Sequence, residues 1–96
     1  MKSLPEVLQL LRANKERLQA KYPIKSIGVF GSVARNKQHE GSDVDVMVDV
    51  APEIGLGFID LAEELESLLS EKVDLVSKRA IKPSYISIIE RDLVYV

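Results

Sequence analysis

From Asp43 to Val50 the chain alternates acidic residues with valine, Asp-Val-Asp-Val-Met-Val-Asp-Val, with Met47 the one apolar residue in the polar register. A period of two belongs to a strand with one buried face. Val44, Val46, Val48 and Val50 then point one way, and Asp43, Asp45, Met47 and Asp49 the other. Carboxylates two positions apart on a strand share a face, with roughly 7 Å between their Cα atoms. Like charges that close disfavour each other's ionised form. The pattern costs the fold stability, and a divalent cation between the carboxylates removes the cost. Asp49 lies a further ~13 Å along and reads as a strand-end residue.

The preceding stretch supplies the opposite preference. Ile27-Gly28-Val29-Phe30 closes a strand predicted over 24–30, and Gly31-Ser32 breaks it to open a short helix to about Arg35. A Gly-Ser turn at a helix start presents free backbone N–H groups and a hydroxyl, which is an anion site of the kind phosphate occupies. Carboxylates for a metal facing a phosphate-binding turn suggest phosphoryl or nucleotidyl transfer from a magnesium-bound nucleotide. Arg35, one turn past Ser32, suits either a phosphate or a surface ion pair. Ser42 reads as a turn residue before the strand, and His39, the only histidine, as a solvated loop residue.

Around this centre the chain reads as alternating helices and strands. Ser3 and Glu6 form a capping box, and Leu4, Val7, Leu8, Leu11 and Leu18 carry helical spacing to about Ala20. Tyr22-Pro23 ends that helix. Residues 36–41 and 51–57 are loops, the latter holding Pro52, Gly55 and Gly57. Phe58, Leu61, Ala62, Leu65, Leu68 and Leu69 mark a further helix, whose acidic outer face (Asp60, Glu63, Glu64, Glu66) reads as solvated. Residues 72–76 form a third strand. Asp74 within it has two readings: an edge position facing water, or a third carboxylate on the face of Asp43 and Asp45. Pro83 suits the first turn of a last helix, with Tyr85, Ile88 and Ile89 as its buried side. Residues 93–96 are β-prone and suit a short terminal strand or clasp.

Gly31-Ser32, ten residues, then Asp43-Val44-Asp45 is a G-S-x10-D-x-D pattern. With the flanking Phe-Gly-Ser-Val-Ala-Arg and Ser-Asp-Val-Asp-Val-Met-Val it resembles the minimal nucleotidyltransferases of the polymerase-beta-like superfamily, over the whole chain. The resemblance implies an α/β (α+β) fold: a small mixed sheet of three to four strands with helices packed on it, in the order α-β-α-β-α-β-α(-β), with the first two strands antiparallel neighbours. It implies Asp43, Asp45 and Asp74 as catalytic metal ligands for two Mg2+ ions, with Mn2+ a substitute. Gly31, Ser32 and Arg35 become the nucleotide-binding set, and ATP the donor of AMP. Relatives of this size commonly pair with a HEPN-type ribonuclease toxin and act as antitoxins by AMPylating a toxin tyrosine. A hetero-oligomer with such a toxin is the expected state. A binding module that neutralises its partner by occlusion, or transfer to a small molecule or an RNA end, are the alternatives.

The rest of the composition sets bounds. Ninety-six residues hold one domain, 1–96. Apolar content of 46% with 29% charged is that of a soluble globular protein. A net charge of −2 argues against direct nucleic-acid binding by phosphate neutralisation. The absence of cysteine excludes disulfides and thiolate zinc sites. No run reaches membrane length and no signal-peptide pattern opens the chain, so a cytoplasmic location is expected.

Overall fold

The computed structural model describes all 96 residues. Helix α1 spans Leu4–Lys21, β1 Ile24–Phe30, α2 Gly31–Ala34 and β2 Val44–Val50. They are followed by α3 at Gly57–Leu69, β3 at Val73–Ser77, α4 at Pro83–Glu90 and β4 at Val94–Tyr95. The sheet order is β3-β2-β1-β4. β1 is antiparallel to β2 and to β4, and β2 is parallel to β3. This is the mixed four-stranded sheet that the family resemblance implies.

The capping box forms as read: the Ser3 hydroxyl accepts from the Glu6 backbone N–H, and the Ser3 N–H donates to the Glu6 carboxylate at 3.0 Å. Tyr22 ends α1 in extended conformation, as the residue before a proline must. Val7, Leu8, Leu11 and Leu18 of α1 and Leu61, Leu65 and Leu69 of α3 are buried in one cluster with Ile27, Val29, Val44, Val46, Val48 and Val50 of the sheet. Both long helices therefore cover one face, the valine face of β2. The alternation of β2 sends its other side chains to the opposite face.

Two local readings need correction, and Met47 adds a detail. Tyr85 and Ile88 are 57% and 53% exposed, and α4 holds no buried residue. Its apolar residues exceed what the thin contact with the rest of the chain can cover. The acidic face of α3 is not simply solvated. Glu64 accepts hydrogen bonds from Arg17, Lys21 and the Tyr22 hydroxyl, fastening α3 to the end of α1, and these bonds, that from Lys21 foremost, hold its carboxyl down at about 2. Glu66 accepts from the Val73 N–H at 3.0 Å and so fixes the start of β3. Met47, in the polar register, is only 2% exposed although it stands on the face away from the core. The Leu93 side chain, just before β4, reaches over that face: a Cβ added to Gly28, the register partner of Met47, would sit 2.5 Å from Leu93 Cδ1.

Candidate active site

Asp45 lies in register with Asp74 on its β3 side and with Phe30 on its β1 side. Residues in register across a sheet share a face, so Asp74 projects on the same side as Asp45. Parallel pairing of β2 and β3 brings this about, and the Glu66 bond to Val73 N, one residue before Asp74, holds the strand start in place. Asp43 immediately precedes β2 and is exposed, as is Asp74, whereas Asp45 is half-buried between them. The Asp45 carboxyl is pushed up to about 6, first by burial and then by the like charges of Asp74 and Asp43. Asp45 is thus the carboxylate that feels both acidic neighbours.

On the other flank, β1 ends at Phe30 and Gly31 starts α2 with φ of +75°. A side chain there is doubly excluded. The backbone is left-handed, and a Cβ would sit 2.0 Å from Asp45 Oδ2. The turn thus lies directly against the central carboxylate, with Ser32 next in the chain and half-buried.

Arg35 closes α2. Its Nη1 donates to Asp92 Oδ2 at 2.7 Å, and its charge acts on Asp45 in the sense opposite to the neighbouring acids. Of the two roles open to it in the sequence, the ion pair is formed, at a position electrostatically linked to the carboxylates. Asp49 is paired with Arg79 at 2.9 Å and stands apart from the trio, as a strand-end residue. His39 is exposed in its loop, and the Ser42 hydroxyl accepts from the His39 N–H at 3.1 Å in a turn.

The donor set is entirely carboxylate oxygen, which suits a hard cation such as magnesium. The Asp45 carboxylate and the Gly31 turn stand side by side, an arrangement that suits a cation-assisted phosphate site. No three His, Cys, Asp or Glu side chains converge on a common point. Asp43 and Asp74 are exposed on either side of the half-buried Asp45.

A mixed sheet in this order, with a glycine-serine turn set against an aspartate of the neighbouring antiparallel strand, has the architecture of the nucleotidyltransferase class of α/β fold. Residues 11–96 match the family model described as a nucleotidyltransferase domain, and the chain belongs to that family. It is 42% identical over 98 residues to protein adenylyltransferase MntA of Thermococcus cleftensis, covering 100% of this chain and 98% of the relative. It is 45% identical over 98 residues to a candidate protein adenylyltransferase of Methanocaldococcus jannaschii, covering both chains completely. Among solved structures, a candidate minimal nucleotidyltransferase superposes with a TM-score of 0.72 at 35% identity, over 91% of this chain and 93% of that one. A toxin–antitoxin structure containing AMP-PNP gives 0.69 at 27% identity, over 95% of this chain and 69% of that one. No helix of this chain is long and apolar enough to cross a membrane.

Proposed function

We propose that residues 1–96 form one nucleotidyltransferase domain that moves AMP from Mg-ATP to a tyrosine hydroxyl of a HEPN-type toxin, acting as its antitoxin in the cytoplasm. The observation that carries this reading is the register of Asp74 beside Asp45, on the face opposite the hydrophobic core and against the Gly31 turn. The names of the relatives support adenylyl transfer. The partner is supported by neighbours that are toxin–antitoxin complexes, one of them holding a nucleotide analogue.

In this reading Asp43 and Asp45 would hold two magnesium ions with the nucleotide, and Asp74 would ligate the catalytic one. Bound magnesium would lower the pKa of the attacking hydroxyl and offset charge on the departing pyrophosphate. The Gly31 and Ser32 backbone N–H groups and the Ser32 hydroxyl hold the β- and γ-phosphates. Asp74 accepts the proton of the acceptor hydroxyl. The new bond joins that oxygen to the α-phosphorus, and the bond to the pyrophosphate oxygen breaks in line with it. An added AMP brings bulk and negative charge, which would oppose RNA phosphate at the modified toxin surface.

The test is to co-express the chain with a HEPN-type toxin from the same source, then incubate the purified pair with magnesium and ATP. The expected result is a toxin mass increase of one or more AMP units, abolished by Asp43→Ala/Asp45→Ala. Toxin inhibition that survives the double substitution would instead establish occlusion. Incorporation of AMP without any protein partner would point to a small-molecule or RNA acceptor.

A further inference from the structure

One charged group at the rim of the site comes from a part of the chain that the catalytic proposal does not use. Asp92 is 57 positions away from Arg35 in sequence, yet accepts from its Nη1 at 2.7 Å. Asp92 is held from both sides. Its backbone N–H donates to the Ile89 carbonyl at 3.2 Å in the last turn of α4. The next residue, Leu93, fills the space that the missing Gly28 side chain leaves on the site face of β1. Asp92 therefore presents its carboxylate from an anchored stretch of backbone to a long, half-exposed cation. A guanidinium carries five N–H donors, and this contact occupies one nitrogen only. The rest of the fork stays available, and the Arg35 backbone N–H donates to the Gly31 carbonyl at 3.1 Å, one helical turn from the glycine that lies against Asp45.

We infer that Asp92 is a positioning residue: it tethers Arg35 by Nη1 so that the remaining guanidinium donors meet the triphosphate of the incoming nucleotide. This rests on the nucleotidyl-transfer reading above. An untethered arginine loses much rotamer freedom when it closes on a phosphate, and the tether removes part of that loss before binding. Opposite roles fall to two aspartates on one face, since Asp45 contributes negative charge for a cation and Asp92 aims positive charge at an anion.

The experiment is calorimetric titration of the full chain with AMP-PNP and magnesium, alongside thermal denaturation of each variant. Asp92→Asn should weaken binding about threefold to tenfold. Asp92→Glu, which keeps the charge, should stay within about twofold of the unsubstituted chain. In an Arg35→Ala background Asp92→Asn should change affinity less than about twofold, because the group it acts through is gone. Unchanged affinity in Asp92→Asn would overturn the inference. So would a loss of equal size in both backgrounds, which is what a merely structural role produces. If the unsubstituted chain binds nucleotide and transfers AMP while Asp92 is uncoupled from Arg35, only this inference falls. If it binds no nucleotide, the transfer reading falls as well.

Discussion

On one face of the sheet Ile27, Val29, Val46 and Val48 are at most 1% exposed beneath α1 and α3. On the other, β2 and β3 carry Asp45, Asp49 and Asp74, and Leu93 of the C-terminal stretch covers Gly28 of β1. One period-two alternation divides β2 between these duties. The first face gains free energy from burial. The second gives some back, since a carboxyl held at about 6 is less comfortable ionised in the folded chain than in the unfolded one. Stability and chemistry are thus separated by the thickness of a single sheet.

The separation breaks most sharply if the two faces can be damaged independently. Asp43→Ala/Asp45→Ala should lower AMP transfer by about 10³-fold or more with the thermal transition retained, as read by toxin mass spectrometry and circular dichroism. Leu65→Ala, in the core cluster, should do the reverse. It should cost about 2–5 kcal/mol of stability and leave the activity of the folded fraction intact, as measured by urea denaturation and by transfer below the transition.

Asp45→Asn sharpens the comparison by sign. The folded-state value of about 6 stands above the ordinary 3.8. Between those values the folded state binds more protons than the unfolded one, so stability falls as pH rises through the window. After allowing for solvent screening the cost at neutral pH is about 1–2 kcal/mol. The substitution should raise Tm at pH 7 by about 5–10 °C and lose that advantage towards pH 4. A destabilised Asp45→Asn in metal-free buffer would show that the second face also contributes to folding. At the small end, Ile88→Ser on the exposed side of α4 should change stability by about 0.5 kcal/mol or less; a larger loss would mean that the face is covered more thickly than it looks.

Periodicity and local chemistry made most of the fold legible. The Ser3/Glu6 cap, the valine alternation of β2 and the Gly31-Ser32 break are all local, and each stands where its residues put it. The Asp74 position needed the family resemblance, because a single acidic residue in a five-residue strand fits an edge as well as a site. Glu64, Glu66 and Asp92 were hidden for another reason. The partners of Glu64 lie 42–47 positions away, that of Asp92 57 away, and Glu66 bonds a backbone N–H that any residue carries. Amphipathic spacing also overstated the burial of α4, since Tyr85 and Ile88 repeat correctly but meet no opposing surface.

β3 borders the sheet, with β2 on one side and no strand beyond it. Open strand margins invite foreign chains to add on and seed aggregates. This margin is five residues long and bears Asp74, a charge that any invading strand would have to accommodate. The acid proposed to draw a proton from the acceptor thereby also discourages copies of the protein from stitching themselves together.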